Sequence, residues 1–190
     1  MNAADPAALR KSRLKLLLVA AVFAAPFVAA LALTLAGWQP GAKGNGLPIV
    51  PQRNFAQEQL PVRMAGGGTW AWRDSEPRLT LVALPGPDCA ARCYAALTAM
   101  AKARVMLNGS QSRLRLLYVG TPPADAQQRT GMANYWQLGE DADGKLAPWR
   151  PQQPDSVAAL LVESNGTALA SYPAGFDASG LLQDLKKVIK

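Results

Sequence analysis

The chain of 190 residues contains no histidine and only two cysteines, Cys89 and Cys93. The absence of histidine excludes His-dependent catalytic triads and histidine-ligated zinc sites. The chain also lacks a basic stripe interleaved with aromatic residues, so we expect no nucleic-acid partner despite a formal net charge of +7. The two thiols are therefore the main candidates for chemistry, as a structural disulfide, a redox pair or a soft-metal site.

A long segment near the N-terminus carries no charge, namely the 23 residues from Leu16 to Trp38. As a helix it would extend roughly 34 Å, enough to cross a bilayer core of about 30 Å. The basic residues on its N-terminal flank are Arg10, Lys11, Arg13 and Lys15, whereas only Lys43 follows closely. The positive-inside rule then places residues 1–15 in the cytoplasm, with a transmembrane anchor at 16–38 and the rest exported. A cleaved signal peptide is the alternative, although its apolar region normally spans only about 7–15 residues.

The exported part divides into a linker and one domain. Residues 39–61 are rich in Gly, Pro and Gln without a sustained period, which is typical of a linker. Residues 62–190 have the size of one ordinary domain. Their apolar patterns predict strands, helices and a hairpin turn at Asn165-Gly166. The strands are predicted at 79–85, 113–120 and 158–163, and the helices at 89–107, around 124–138 and at 177–189.

The predicted order is strand, helix, strand, helix, hairpin and helix, which indicates a right-handed parallel crossover followed by antiparallel strands. This is an α/β, thioredoxin-like plan, preceded by one N-terminal transmembrane helix. Both cysteines lie where the first predicted strand passes into its helix. Asp88 stands at the expected N-cap, and the helix dipole together with Arg92 would stabilise a thiolate there.

The position of the cysteines favours a chemical role over a structural one. A disulfide that closes so short a loop stabilises a fold by about 2 kcal/mol, against about 4.7 kcal/mol for a loop of about 100 residues. A structural disulfide in an oxidising compartment would more usefully join distant segments. We therefore take Cys89 and Cys93 as the candidate catalytic redox residues, with an inert disulfide as the alternative.

The stretch "LTLVALPGPDCAARCYAALTAMAKARVML", followed by "LRLLYVG", resembles the thiol region of the Sco family, membrane-anchored proteins that assist copper insertion into cytochrome c oxidase. The resemblance is closer still to the Sco-like proteins encoded among proteobacterial oxidase assembly genes. It covers roughly residues 60–190 and includes the late hairpin "ALLVESNGTALASYP". It implies that Cys89 and Cys93 match the family's metal-binding, redox-active cysteines.

The same resemblance implies a location and a partner. The location is the bacterial inner membrane, crossed once, with the C-terminal domain in the periplasm. The partner is a cytochrome c oxidase subunit or another assembly factor, in addition to the membrane itself through residues 16–38.

One departure from the family pattern concerns copper. The family's third copper ligand is a histidine just before the hairpin, and Asp155 or Ser156 stands in that neighbourhood here. Copper(II) favours nitrogen or oxygen ligands in tetragonal sites, so we expect no stable copper(II) complex of the family type. Copper(I) is softer, and Cys89 and Cys93 alone can hold it; no other cofactor is expected.

Three hypotheses for function remain open. The first is a Sco-like oxidase assembly factor that binds copper(I). The second is a periplasmic thiol–disulfide oxidoreductase that keeps the cysteines of a copper site reduced, and the third is a non-catalytic scaffold with a structural disulfide. The first two need the same accessible pair of thiolates, so the sequence does not separate them.

Overall fold

The computed structural model describes residues 6–35 and 44–189, which fall into two compact units on either side of the gap. The described part of the first unit is one helix, α1 (Pro6–Leu35), with Pro26 in its interior and exposed apolar side chains such as Phe23 and Phe27. Within the two described ranges, no helix combines the length and the apolar character needed to cross a membrane. The anchor expected at 16–38, whose last three residues lie outside the described ranges, stays a prediction.

The second unit is built on one mixed sheet. Its strands are β1 (Leu47–Pro48), β2 (Val62–Met64), β3 (Leu79–Pro85), β4 (Leu114–Val119), β5 (Gln137–Asp141), β6 (Val157–Val162) and β7 (Ala168–Tyr172). Its α-helices are α2 (Ala91–Val105), α3 (Ala126–Ala133) and α4 (Ala178–Val188), with 3₁₀ helices at Asn108–Arg113 and Ala147–Trp149. In the described chain the sheet has seven strands in the order β1-β7-β6-β3-β4-β5-β2.

The centre of the sheet agrees with the sequence prediction. β3 pairs in parallel with β4 and antiparallel with β6, so the three predicted strands are neighbours. β6 and β7 form an antiparallel hairpin. Its turn contains Gly166 at a φ of 90°, in the left-handed region that favours glycine. The predicted strands, the parallel pairing of β3 with β4 and the hairpin are confirmed.

The nearly continuous apolar run of β3 is explained by burial on both faces of the sheet. Leu81 and Ala83 belong to one core cluster, and Val82 and Leu84 belong to the other. Because successive side chains of a strand point to opposite faces, a strand covered on both sides needs apolar residues at every position. α2 and α4 contribute to the first cluster, whereas irregular chain covers the second face with buried aromatic side chains, among them Phe55 and Trp72.

The linker predicted at 39–61 differs from the structure from Gly44 onward; residues 39–43 lie outside the described residues. β1 pairs with β7, and the side chains of Phe55 and Leu60 are buried in the second core cluster. These contacts use short strand pairing and isolated apolar side chains. They leave no periodic pattern in the sequence, which is why the segment resembles a linker.

A buried carboxylate fixes the start of this segment. Asp184 on α4 accepts hydrogen bonds from the backbone N–H groups of Asn45 and Gly46, at 2.6 and 3.1 Å. The Tyr172 hydroxyl donates to the same carboxylate at 3.2 Å. Burial alone would raise the pKa of Asp184, but the hydrogen bonds from the Gly46 and Asn45 backbone, together with those from the Lys187 and Asn45 side chains, lower that pKa. Asp184 thus joins α4, the end of β7 and the chain before β1.

The helix expected around 124–138 is only partly correct. α3 ends at Ala133, and residues 137–141 form β5, which pairs in parallel with β4 and antiparallel with β2. β5 is polar at most positions, and its one fully buried residue is Gly139. A polar strand with a glycine at its centre carries neither of the patterns that indicate a strand in a sequence.

Candidate thiol site

The two cysteines lie at the N-terminal end of α2, shortly after β3 ends. Cys93 is in the first turn of α2 and has no exposed surface, whereas Cys89, in the preceding loop, is half-buried. Their sulfurs form a disulfide, and the two Cα atoms are 5.1 Å apart. Cys93 faces the core because Leu97 and Met100, four and seven residues later, are buried on the same helical face. Of the pair, Cys89 is therefore the residue in contact with solvent.

The N-terminus of α2 is capped by Asp155, a residue distant in the sequence. Oδ1 of Asp155 accepts hydrogen bonds from the backbone N–H groups of Ala90 and Cys93, both at 2.9 Å. Oδ2 accepts one from the backbone N–H of Arg92 at 3.0 Å. One carboxylate thus satisfies three of the backbone donors that the start of a helix leaves without partners.

The sequence prediction that Asp88 caps α2 is wrong. The N-cap residue is Ala90, whose side chain offers no acceptor. Asp88 instead accepts a hydrogen bond from the backbone N–H of Asp155 at 2.9 Å. Asp88 therefore helps to position the residue that does cap the helix.

Close backbone contact holds the loop that carries Asp155. The N–H of Gly86 donates to the carbonyl of Ser156 at 2.9 Å. A Cβ on residue 86 would lie only 2.3 Å from the carbonyl oxygen of Gln153. Asp155 itself has a φ of 48°, a left-handed conformation that Asp adopts more readily than most residues. A glycine at the end of β3 thus allows the loop to bring Asp155 onto α2.

Of the two residues expected near the position of the family's histidine, the structure brings only one to the cysteines. Asp155 bonds the backbone of Cys93. Ser156 directs its hydroxyl to the carbonyl of Gln153 at 2.6 Å. Of these two positions, residue 155 therefore lies beside the cysteine pair.

The charges at the site are arranged around the Asp155 carboxylate. Hydrogen bonds from the backbone N–H of Cys93, and then of Arg92, lower the pKa of Asp155. The Arg92 side chain is largely exposed, and its Nε lies 3.4 Å from Oδ2 of Asp155. The helix end and Arg92, which we expected to stabilise a thiolate, are therefore directed at a carboxylate.

The donor set fits copper(I) better than copper(II). Within residues 6–35 and 44–189, no group of three or more His, Cys, Asp or Glu side chains is placed to hold a metal ion. Asp155 stands beside the pair, but its oxygens already accept backbone hydrogen bonds. The sulfurs of Cys89 and Cys93 form a disulfide in this structure. Reduction of that bond would leave two thiolates as the ligands, and thiolates suit copper(I).

A family comparison places the whole thiol site in one domain. The family described as "Transmembrane-like, thioredoxin-like, C-terminal domain" matches residues 79–190. The chain belongs to this family. The matched region contains β3, both cysteines and Asp155, so it includes every element of the site. The thioredoxin-like α/β fold predicted from the sequence is thereby confirmed. No curated protein sequence matches the chain.

Solved structures agree on the fold. The chain is similar to peroxiredoxin Q from Xanthomonas campestris, at 13% identity and a TM-score of 0.52, over 75% of this chain and 99% of that one. It is also similar to ScoI from Arabidopsis thaliana with copper bound, at 12% identity and a TM-score of 0.50, over 68% and 95%. BsSco, a Sco-family member with a disulfide switch, gives 13% identity and a TM-score of 0.48, over 79% and 98%. At such low identities, the first two structures support the thioredoxin-like fold and nothing more specific.

Sequence reasoning found the cysteines but missed the capping contact. Asp155 lies 62 residues after Cys93, so no local signature connects them. The available signal was the position of Asp155, three residues before the predicted strand at 158–163. In a sheet where that strand lies next to the first one, its preceding loop must end near the cysteines.

Proposed function

We propose that this protein is a membrane-attached thiol–disulfide exchange factor that reduces disulfides in client proteins. The observation that carries the proposal is the Cys89–Cys93 pair at the N-terminus of α2, with Cys89 half-buried and Cys93 fully buried. Exchange needs one sulfur that a partner can reach and a second that completes the reaction. A disulfide kept only for stability would gain little from closing so short a loop.

The exchange reaction balances with the two cysteines alone. In the reduced protein, the thiolate of Cys89 attacks a client disulfide, forms a mixed disulfide and releases one client thiolate. The thiolate of Cys93 then attacks the sulfur of Cys89, which closes the Cys89–Cys93 bond and releases the second client thiolate. Two electrons pass to the client, and the two protons of the pair reach the client thiolates through solvent. A dithiol electron donor restores the reduced pair by the same exchange in reverse.

Asp155 favours the reducing direction of this exchange. Its carboxylate accepts the backbone hydrogen bonds that would otherwise stabilise a thiolate at the helix N-terminus. It also places a negative charge beside the cysteines. A pair whose reduced form is stabilised becomes a strong oxidant. By the same argument, a pair whose thiolate is poorly stabilised donates electrons more readily.

We place this activity in cytochrome c oxidase biogenesis, in the manner of a Sco-like factor. The support is the resemblance of the thiol region and the late hairpin to the Sco family. The client is then an oxidase subunit or another assembly factor, with copper-site cysteines as the disulfide to be reduced. The proposed location is the bacterial inner membrane with the domain in the periplasm, supported by the uncharged segment from Leu16 to Trp38 and its basic flank. An alkaline phosphatase fusion after residue 60 should be active, and an inactive fusion would contradict this placement.

Copper(I) binding by the reduced pair is the second candidate. The two Cα atoms are 5.1 Å apart, so both sulfurs can reach one soft ion. A third protein ligand at the position of the family's histidine would have to replace the hydrogen bonds of Asp155. We therefore expect two-sulfur binding of moderate or weak affinity.

Trapping of the mixed disulfide tests the exchange reaction. A Cys93→Ser variant should accumulate a covalent adduct with a peptide that contains one disulfide, because no second thiol resolves it. Cys89→Ser is the matched control, with the remaining thiol buried, and should form little adduct. Mass spectrometry of the full-length proteins after alkylation reads both results.

Three other outcomes would redirect the assignment. Adducts of equal yield in both variants would contradict the assigned roles of the two cysteines. Failure of both variants, with tight copper(I) binding by the reduced wild type, would favour the copper carrier. Failure of both without copper binding would favour a scaffold with a structural disulfide.

A further inference from the structure

A polar cavity lies at the opposite end of β3 from the cysteines. Its volume is about 390 Å³, and the residues that line it include Trp70, Arg78, Arg104, Ser112, Arg115 and Gln137. Arg78 directly precedes β3, and Arg115 lies near the start of β4. Because β3 spans roughly 20 Å, the cavity is separate from the thiol site.

The guanidinium groups in this cavity outnumber the carboxylates that reach them. Asp74 accepts two hydrogen bonds from Arg78, at 2.8 and 3.0 Å, and lies 3.2 Å from Arg115. Glu76 lies 3.6 Å from Arg78 and is mostly exposed. Arg104 donates through Nε to two backbone carbonyls, the nearer at 2.7 Å, and forms no ion pair with a described carboxylate. Three cations therefore face two anions.

Two buried donors in the cavity wall lack an acceptor. Among the described residues, the buried side-chain polar atoms without a hydrogen-bond partner are Nε1 of Trp70 and Nε of Arg115. Trp70 is 7% exposed, and the Arg115 guanidinium lies 4.5 Å from the centre of its ring. Both atoms are donors, so the partner that they lack is an acceptor. Buried donors normally have such a partner.

The environment of the Arg115 guanidinium also favours a negatively charged ligand. Burial lowers the pKa of Arg115, and the Asp74 carboxylate only partly opposes this effect. A further negative charge in the cavity would stabilise the guanidinium. Planar guanidinium groups bind carboxylate and phosphate oxygens with paired hydrogen bonds.

We propose that this cavity binds a small oxyanion, either a phosphate or a carboxylate group, through Arg78, Arg104 and the wall formed by Trp70 and Arg115. The site does not depend on the proposed thiol exchange. It would give the domain a ligand-binding site at the end of the sheet away from the cysteines.

Titration of the full-length protein with inorganic phosphate, followed on the indole N–H resonances of its tryptophans, tests the proposal. A parallel titration uses malonate, and sodium chloride keeps the ionic strength constant. The resonance of Trp70 should shift and saturate. The indole of Trp72 already donates to the carbonyl of Leu60 at 2.7 Å and should stay in place. Tighter binding of one probe identifies phosphate or carboxylate as the preferred group.

Two variants that each lose one positive charge distinguish binding in the cavity from a general electrostatic effect. Arg78→Gln should weaken binding of the better probe about tenfold, because a charged hydrogen-bond donor is lost. Arg63→Gln removes an exposed arginine that does not line the cavity and should bind as the wild type does. A Trp70 resonance that neither probe shifts to saturation would overturn the proposal, since water would then fill the cavity. Equal weakening in both variants would overturn it as well.

Discussion

Gly86→Ala tests whether backbone contact with the end of β3 holds the loop that carries Asp155. A Cβ at this position would lie 2.3 Å from the carbonyl oxygen of Gln153, 3.0 Å from Oγ of Ser156 and 3.2 Å from the carbonyl oxygen of Pro151. Two of these neighbours are backbone atoms, which cannot rotate away. The loop must therefore move, and overpacking of this kind typically destabilises a protein by about 1–3 kcal/mol.

The measurement is urea unfolding of the full-length protein with the disulfide intact. Gly66→Ala is the matched control, because a Cβ there meets no heavy atom within 4 Å. The control should leave the free energy of unfolding unchanged or raise it by up to about 1 kcal/mol, since alanine restricts the unfolded chain. The Cys89–Cys93 bond of Gly86→Ala should also be reduced at a different rate from that of the wild type. Equal stability of the two variants would refute the account of how Asp155 is positioned.

Three further predictions concern single carboxylates. Asp155→His should create a thiolate-to-copper(II) charge-transfer band that the wild type lacks. Ser156→His is the control and should not create this band. A strong band in the wild type would contradict the assigned ligand set. Asp184→Ala should lower the free energy of unfolding by about 1–3 kcal/mol, because it removes the acceptor of the Asn45 and Gly46 backbone N–H groups and of the buried Tyr172 hydroxyl. A loss below about 1 kcal/mol would mean that other groups fix the segment before β1. Asp74 has a pKa lowered to about 2, chiefly by its hydrogen bonds with Arg78. Its ionised form should therefore stabilise the fold above about pH 4, with that stability lost as the pH falls towards about 2. Urea midpoints of Asp74→Asn should depend less on pH in this window, and an unchanged dependence would be contrary evidence.

The parts of the fold that sequence reasoning found are those with a strong local pattern. The run from Leu79 to Pro85 is apolar at nearly every position because both of its faces are buried. Asn165-Gly166 predicts a hairpin because a tight turn needs backbone conformations that glycine adopts easily. The alternation of these strands with amphipathic helices was sufficient to predict the thioredoxin-like order.

The parts that were missed depend on contacts between distant residues. Residues 44–61 resemble a linker because they have no periodic apolar pattern. They are held by isolated buried side chains and by hydrogen bonds to the Asp184 carboxylate. β5 resembles a loop because it is polar and has Gly139 at its centre. The capping of α2 by Asp155 could not be read from local sequence, since the two elements meet only when β6 lies beside β3. Asp88 has the right residue type and spacing for a cap, and only the structure shows that it supports Asp155 instead.

The redox activity proposed for Cys89 and Cys93 distinguishes this pair from a permanent structural disulfide. Its most direct test is the thiol content of the native, full-length protein at equilibrium with a dithiothreitol redox buffer, read by alkylation and mass spectrometry without denaturant. We predict that both thiols appear together, reversibly, while near-ultraviolet circular dichroism retains the signal of the folded protein. The fold should survive because opening so short a loop removes only about 2 kcal/mol. A disulfide that stays closed until urea unfolds the protein would contradict the claim.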